Sequence, residues 1–292
     1  MHRLPPLLIA GPTASGKSAL ALQRAAREAS VIINADSMQV YADLRILTAR
    51  PTPEDETQIA HALYGFVDGK DAYSTGRYVT DVARVLEVGA RDGLRPIIVG
   101  GTGLYFKALL DGLSPVPAVA DDIRAFWRSQ ATRLGPAALH AELAERDPEM
   151  AARLRPSDPQ RVTRALEVLA ATGRSLADWQ AVPGAPLIDV SACEKIVVMP
   201  AREALFQRAD ARFDAMVAAG ALAEVRSLVM HELDPTLPVM RALGVQHLIH
   251  HAIGQTTLED AVASAKQDTR HYIKRQLTWI RRNMSSWNTI TT

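Results

Sequence analysis

Eight consecutive residues near the N-terminus have the types and spacing of a phosphate-binding loop. The pattern G-x-x-x-x-G-K-[ST] is matched by Gly11, Pro12, Thr13, Ala14, Ser15, Gly16, Lys17 and Ser18. Glycines let backbone N–H groups point into such a loop, where they bind phosphate oxygens together with the lysine and the N-terminus of the following helix. The serine hydroxyl that ends the pattern is a ligand for magnesium. The segment therefore predicts a phosphate site with Mg²⁺ as its cofactor.

A carboxylate near a second strand end could supply general-base chemistry. Residues 30–34 are mainly β-branched and apolar, which predicts a buried strand, and Asp36 stands at its carboxyl end. Parallel strands end at a common edge of the sheet, where open α/β folds bind ligands. Asp36 can therefore lie beside the phosphate loop and accept a proton. Taken by itself, this aspartate could instead cap a helix N-terminus.

The strand predicted at residues 96–99 ends differently from the corresponding strand of P-loop nucleotide hydrolases. Those enzymes usually carry an aspartate there that holds magnesium, whereas this chain continues with Gly100-Gly101-Thr102. The glycines permit a close approach of the backbone to a ligand, although a tight turn from strand to helix would use them equally well. The strand ends therefore favour group transfer over nucleotide hydrolysis.

The C-terminal segment concentrates positive charge. Residues 266–292 carry six basic residues and one acid, a formal charge of +5 on a chain whose net charge is +1. On a helix, Arg270, Lys274 and Arg281 fall within about 40° of one another, with Arg275 and Arg282 extending the arc and apolar residues opposite. This pattern predicts an amphipathic helix whose cationic face suits RNA phosphates. A solvated charged face and membrane attachment are the alternative interpretations.

These groups require an α/β framework to bring them together. Strands predicted at 7–10, 30–34 and 96–99 alternate with helices, which is typical of a parallel sheet with right-handed crossovers. Between two proline-rich linkers the chain has only helical patterns, and an apolar strand returns at 195–199. We predict a P-loop NTPase-like parallel core, residues 1–112 plus 187–292, interrupted by an all-helical insertion, residues 113–186.

Composition excludes several classes of protein. Hydrophobic residues make up 48% of the 292 residues and charged residues 22%, as in globular proteins with a sizeable core. No apolar run reaches the roughly 18 residues of a membrane-spanning helix, and the apolar N-terminal segment lacks a cleavage site for a signal peptide. The single Cys193 excludes an internal disulfide or a cysteine-rich zinc site. We expect a cytoplasmic protein without a membrane partner.

Taken in order, five segments resemble the tRNA dimethylallyltransferase family, the isopentenyl-type tRNA prenyltransferases of bacteria. They are GPTASGKS at 11–18, DSMQVY at 36–41, GGTGLY at 100–105, DPQR at 158–161 with RALE at 164–167, and KRQLTW at 274–279. The resemblance implies that dimethylallyl diphosphate donates its prenyl group to the exocyclic amine of the adenosine just 3′ of the anticodon. It also implies Mg²⁺ but no organic cofactor, the tRNA anticodon stem-loop as partner, and a monomer.

The resemblance also implies roles for individual residues. Asp36, Lys17 and Arg212 would be catalytic, with Asp36 as the general base and Arg212 on the diphosphate. On spacing alone, Arg212 and Arg208 could equally be a solvated pair on one helix face. The target adenine would be flipped out of its stack. The tRNA contacts would be Asp36, Ser37, Met38, Gln39, Thr102, Gly103, Arg124, Gln160, Arg161, Val162, Thr163, Arg164, Arg270, Lys274, Arg275 and Arg281.

The chain departs from the family pattern at Leu47, Arg50, Ala62 and Val245, which puts local tRNA contacts in question more than the reaction.

Two other functions are compatible with the loop pattern, which is also that of ATP-binding proteins. A P-loop kinase for a small metabolite predicts ATP turnover without a need for the basic helix. A nucleotide-gated RNA-binding protein predicts that replacing Asp36 leaves tRNA binding intact, with no activity to lose.

Overall fold

The computed structural model describes residues 5–291 and contains one six-stranded sheet. The strands are β1 (Leu7–Ala10), β2 (Ser30–Asn34), β3 (Ala60–Ala62), β4 (Arg95–Gly100), β5 (Glu194–Val198) and β6 (Asn288–Ile290). They pair in parallel in the order β3-β2-β4-β1-β5-β6. The predicted α/β class and the parallel sheet are confirmed, and the short β3 and β6 extend the sheet at its two edges.

The helices alternate with these strands or follow one another between β4 and β5 and between β5 and β6. They are α1 (Lys17–Ala25), α2 (Pro53–Gln58), α3 (Thr75–Arg91), α4 (Gly103–Asp111), α5 (Asp121–Arg146), α6 (Pro148–Arg153), α7 (Pro159–Thr172), α8 (Leu176–Ala181), α9 (Arg202–Ala218), α10 (Ala221–Met230), α11 (Val245–Ala252) and α12 (Leu258–Asn283). Short 3₁₀ turns lie at Val190–Ala192 and Pro238–Arg241. In α5 the backbone is not helical at Gly135, which precedes Pro136 and kinks the helix.

The described residues divide into two compact units. One contains the residues up to Leu110 and from Leu187 onward, and the other is Asp111–Pro186. The second unit has its own apolar core, in which Trp127, Leu139 and Leu143 of α5 pack with Val162 and Leu166 of α7. Since α5 to α8 are its regular elements, this unit is all-helical, and the predicted insertion, residues 113–186, lies within it.

The sheet of the first unit is buried on both faces. Along β1, Leu8 belongs to the apolar cluster on one face and Leu7 and Ile9 to the cluster on the other. The same alternation continues in β4, where Ile98 belongs to the cluster on the first face and Ile97 to the cluster on the other. A strand covered on both sides requires an apolar residue at every position, which explains the unbroken apolar runs in the sequence.

The order of the strands brings three loops to one edge. Because β4 lies between β1 and β2, the carboxyl ends of β2, β4 and β1 are neighbours. Hydrogen bonds continue past the strand ends: Ala35 N–H donates to Val99 O (2.8 Å) and Gly11 N–H to Gly100 O (3.3 Å). A Cβ at Gly100 would lie 2.0 Å from Ala35 O, so the close approach at this edge requires glycine.

Candidate active site

The phosphate loop connects β1 to α1 and has an open interior. Ala14 (φ 63°) and Gly16 (φ 90°) adopt left-handed backbone conformations, which turn the chain back before α1 begins at Lys17. No side chain among residues 5–291 caps the N-terminus of α1, so its first N–H groups are available to an anion. A Cβ at Gly11 would lie 2.6 Å from Ser15 Oγ and 2.7 Å from Val198 O. The residues at these positions therefore fold into a cradle whose shape suits an anion.

Lys17 lies in a desolvated position within this cradle. Its Nζ donates a hydrogen bond to Pro12 O at 3.3 Å. Burial lowers the pKa of Lys17 to about 8, the carboxylate of Asp36 opposes this shift, and the charge of Arg212 adds to it. Burial also lowers the pKa of Arg212, and Asp36 again opposes the shift. The three residues predicted to be catalytic therefore lie close enough to influence one another's charge, whereas Arg208 is exposed.

Asp36 is held in one orientation with one oxygen free. Its backbone N–H donates to Asn34 Oδ1 (2.7 Å), and Asn34 Nδ2 donates to Asp36 O (2.9 Å) and to Leu63 O (3.0 Å). Met38 N–H donates to Asp36 Oδ1 (2.9 Å). The other carboxylate oxygen, Oδ2, lies 3.8 Å from the position that a Cβ on Gly101 would occupy. The carboxylate thus presents Oδ2 toward the turn after β4, as a general base requires.

Thr102 joins the loop after β2 to the turn after β4. Its Oγ1 accepts from Ser37 N–H (2.9 Å) and donates to Ser37 Oγ (3.3 Å), while its backbone N–H donates to Ala35 O (3.1 Å). At the next residue, Gly103, a Cβ would lie 2.4 Å from the indole of Trp279 on α12. The sequence predictions for Ser37, Thr102 and Gly103 therefore fall on one continuous wall beside Asp36.

A cavity of about 260 Å³ opens between this wall and α12. It is lined by the turn from Gly100 to Gly103, by Leu104 and Phe106 of α4, and by Tyr272, Arg275, Gln276 and Trp279 of α12. Gly11 of the phosphate loop and Ser37 of the loop after β2 also border it. Its lining combines apolar and aromatic side chains with a few polar groups, which is the composition of a site for an organic ligand.

Sequence reasoning missed the polar contact that ties α12 to the phosphate loop. Thr13 N–H donates to Gln276 Oε1 (2.9 Å), and Gln276 Nε2 donates to Gly101 O (3.1 Å). The side chain of Gln276 is only 6% exposed. A signal was available, because a glutamine between Ile273, Leu277 and Ile280 interrupts the apolar face of the helix, and buried amides are almost always hydrogen-bonded.

The cationic face of α12 is narrower than its sequence suggests. Arg270 forms an ion pair with Asp210 of α9, and Lys266 pairs with Asp214 at 2.6 Å. Lys274, Arg275 and Arg281 are exposed and form no ion pair with any residue in the range 5–291. The two acids lie on α9, outside the segment from which the charge of +5 is counted. The unpaired cations begin one turn after Arg270.

In the second unit the predicted RNA contacts fall into two groups. Arg124, Arg161 and Arg164 lie at or near the surface and pair with acids of their own helices or helix caps, while Gln160 is exposed. Val162 is 0% exposed and Thr163 7%, and Thr163 Oγ1 donates to Pro159 O (2.7 Å). The side chains of Val162 and Thr163 are therefore part of the core of this unit, and the predicted RNA contact at these two residues is left to their backbone.

Gln39 is also less available than predicted. Its Nε2 donates to Thr48 O (2.8 Å) and Ala49 O (2.9 Å), which leaves only Oε1 for a ligand. Three of the four departures from the family pattern are accommodated by contacts within the protein. Leu47 and Val245 are buried in the main apolar cluster, and Arg50 Nη1 donates to Tyr41 O and Ala42 O (both 3.3 Å). None of these contacts involves the phosphate loop or the Asp36 carboxylate.

The carboxylate of Glu224 on α10 fixes the start of the loop that carries Leu47 and Arg50. Its Oε1 accepts from the N–H groups of Arg45 (2.8 Å) and Ile46 (2.7 Å), and its Oε2 accepts from Leu47 N–H (3.0 Å). Three successive N–H groups that point at one site form an anion-binding concavity, here filled by a side chain of the same protein. The loop that carries Leu47 and Arg50 is therefore anchored to α10.

Comparison with known proteins decides the family. Residues 39–283 match the family model of IPP transferase, and residues 6–64 match that of isopentenyl transferase. The chain belongs to the IPP transferase family. The tRNA dimethylallyltransferase of a Bradyrhizobium species is 56% identical to it over 95% of this chain and 90% of that protein, and that of Methylocella silvestris is 55% identical over 95% and 92%.

Solved structures of IPP transferase relatives have the same fold. The tRNA isopentenylpyrophosphate transferase of Bacillus halodurans superposes with a TM-score of 0.69 at 30% identity, over 98% of this chain and 89% of that one. A eukaryotic dimethylallyltransferase captured acting on tRNA superposes with a TM-score of 0.80 at 29% identity, over 95% and 70%. The P-loop NTPase-like fold and the family resemblance drawn from the sequence are confirmed. Within residues 5–291, no helix is both long and apolar enough to cross a bilayer.

Proposed function

We propose that this protein is a tRNA dimethylallyltransferase. It moves the dimethylallyl group of dimethylallyl diphosphate to the exocyclic amine of the adenosine 3′-adjacent to the anticodon and releases diphosphate. The observation that carries the proposal is the free Oδ2 of Asp36, which lies at the same sheet edge as a desolvated Lys17 in a chain of the IPP transferase family. A phosphate cradle beside a fixed carboxylate suits transfer to an amine.

At the prenyl donor, the protein must stabilise the negative charge that develops on the leaving diphosphate. As the bond from the prenyl C1 to the diphosphate oxygen breaks, C1 gains allylic cation character and the diphosphate gains charge. The loop N–H groups and the ammonium of Lys17 stabilise that charge where it develops, and Arg212 adds a second cation from α9. Both cations are desolvated, which strengthens their interaction with an anion compared with the same charges in water.

The acceptor end requires removal of one proton. The adenine amine forms its bond to C1 and becomes acidic only as that bond forms, so the base must already be in place. Asp36 Oδ1 is held by Met38 N–H, and Oδ2 takes the proton and passes it to solvent. The cavity bordered by Ser37, Gly103 and Trp279 lies next to this carboxylate and is proposed to receive the flipped base.

The residues present fit a magnesium ion that takes most of its ligands from the substrate. Residues 5–291 contain no cluster of three carboxylate, imidazole or thiolate groups that could hold a metal alone. Mg²⁺ commonly keeps water and binds phosphate oxygens with one or two protein ligands, and the exposed Ser18 at the start of α1 provides a hydroxyl. When bound, Mg²⁺ would neutralise charge on the diphosphate.

The proposed RNA contacts are the unpaired cations of α12, namely Lys274, Arg275 and Arg281, and the surface residues Arg124, Gln160, Arg161 and Arg164 of the second unit. Their charges suit the phosphates of an anticodon stem-loop, and binding dominated by such contacts weakens as salt rises. A tRNA substrate also supports a cytoplasmic location for the protein.

A label-transfer assay tests the proposed function. The protein is incubated with Mg²⁺, an unmodified anticodon stem-loop and dimethylallyl diphosphate labelled in its prenyl group, with a loop that lacks adenosine 3′ of the anticodon as the matched control. We expect label on the first RNA and none on the second. Label on neither RNA contradicts the proposal, and ATP turnover stimulated by a small metabolite would favour the kinase instead.

A further inference from the structure

The side chain of Gln276 joins two parts of the active site that are far apart in the sequence. Its Oε1 accepts the Thr13 N–H of the phosphate loop, and its Nε2 donates to Gly101 O after β4. The amide is almost completely buried on α12, with Ile273, Leu277 and Ile280 as the apolar residues around it on the helix. Both ends of the amide are therefore engaged, and its position is fixed.

This contact removes one anion-binding group from the loop. Phosphate loops hold their ligand through backbone N–H groups, and the Thr13 N–H is already satisfied by a neutral side chain. Ser15 N–H is also engaged, since it donates to Pro12 O at 3.2 Å. By contrast, the N–H groups of Ala14 and Gly16 have no acceptor within the described residues 5–291. The groups left for an anion thus lie toward the α1 end of the loop.

The same amide lies beside the turn after β4, the strand after which a nucleotide hydrolase usually carries its metal-binding acid. In such enzymes an aspartate after the corresponding strand holds the Mg²⁺ that bridges the last two phosphates. Here that strand is followed by Gly101, and a Cβ on Gly101 would lie 2.5 Å from Gln276 Nε2. The glutamine side chain therefore fills part of the space beside Thr13 at the end of β4 and narrows the room left there for a further phosphate group.

We propose that Gln276 determines the length of phosphate chain that the loop accepts, admitting a diphosphate and excluding the third phosphate of a nucleoside triphosphate. The inference rests on the proposed function, in which diphosphate is the leaving group. It gives a physical reason why a loop with the sequence pattern of ATP-binding proteins serves a different donor. It also assigns a role to a side chain that the reaction mechanism leaves unused.

Binding of inorganic pyrophosphate and tripolyphosphate to the full-length protein tests the proposal. Isothermal titration with Mg²⁺ present gives the ratio of the two affinities for each variant, and taking ratios cancels effects common to both ligands. We expect the wild-type protein to bind pyrophosphate with a Kd at least about tenfold lower than its Kd for tripolyphosphate. Gln276→Ala should shift the ratio at least about tenfold toward tripolyphosphate, because it opens the space beside Gly101 that the glutamine side chain fills.

Two further variants separate exclusion from simple positioning of the loop. Gln276→Met keeps the length of the side chain but makes no hydrogen bond, so it should weaken both ligands and leave their ratio unchanged. Gln276→Asn is one methylene shorter, cannot reach both Thr13 and Gly101, and should shift the ratio as alanine does, which provides the test if the alanine variant does not fold.

The outcomes distinguish failure of this inference from failure of the proposed function. Equal binding of the two ligands by wild type, or a ratio that is unchanged in both Gln276→Ala and Gln276→Asn, overturns the role of Gln276. Equal shifts in the methionine and alanine variants also overturn it, since they would indicate positioning alone. A wild-type protein that binds no pyrophosphate contradicts the proposed function, and with it the inference.

Discussion

Raising the pH from 7 to 9 should weaken binding of dimethylallyl diphosphate about tenfold through Lys17. The pKa of this lysine is lowered to about 8 by burial. It is therefore about nine-tenths protonated at pH 7 and about one-tenth protonated at pH 9. The anionic diphosphate in the complex holds the proton on the lysine. The complex therefore binds more protons than the free protein, and the affinity falls as pH rises. The change corresponds to about 1.4 kcal/mol.

Isothermal titration at constant Mg²⁺ and ionic strength measures this change. Phosphate groups with a pKa of about 6 have lost their proton by pH 7, so the ligand contributes little to the slope. Lys17→Arg is the matched control, because a guanidinium keeps its charge throughout the range and should give a nearly flat profile. A wild-type affinity that is equal at the two pH values, or an arginine variant with the same tenfold decline, would refute the reasoning.

Three further predictions follow from contacts at and around the site. Asp36→Asn should lower the rate of prenyl transfer at saturating dimethylallyl diphosphate by about 10²–10⁴, measured by label transfer; a near-normal rate would exclude Asp36 as the base. Glu224→Ala removes the carboxylate that accepts from three N–H groups and should lower the free energy of unfolding in urea by about 2–4 kcal/mol, and Glu224→Gln by less; a loss below about 1 kcal/mol would contradict this. Lys274→Ala should reduce the slope of log K for stem-loop binding against log salt by about 1. Arg270→Ala should change this slope little, because the charge of Arg270 is already paired with Asp210. Equal slopes in the two variants would contradict the assignment.

The parts of the site that sequence could predict are those that local geometry determines. Residues 11–18 form their loop from glycine positions and flanking elements within one β-loop-α segment. Asp36 follows from the same logic, because an apolar run covered on both faces predicts a strand, and neighbouring parallel strands end at one edge. Two proline-rich linkers and the helical patterns between them predict an all-helical unit in this part of the chain.

The remaining features depend on contacts between distant segments. Gln276 and Thr13 are separated by 263 positions, and nothing in either segment specifies the other. Asp210 neutralises Arg270 only because α9 packs beside α12. The strands β3 and β6 are three residues long, and their pairing depends on an existing neighbour in the sheet more than on their own sequence.

Burial limits two of the predicted RNA contacts in the same way. Val162 and Thr163 lie in a segment that resembles a tRNA-binding motif, and the motif alone does not distinguish its exposed positions from its buried ones. Helical periodicity does, since Val162 and Leu166 are four residues apart and both enter the core of the second unit. When the motif is considered together with helical periodicity, the side chains in the segment 160–164 that remain candidates for RNA contact are those of Gln160, Arg161 and Arg164.

Direct identification of the product is the measurement that tests the central claim. An anticodon stem-loop is incubated with the protein, Mg²⁺ and dimethylallyl diphosphate, digested to nucleosides, and analysed by mass spectrometry with fragmentation. The account predicts a single adenosine, the one 3′ of the anticodon, whose base carries one additional dimethylallyl group on its exocyclic nitrogen, with one diphosphate released for each group transferred. An unmodified loop, or a prenyl group on any other atom or nucleotide, would contradict it.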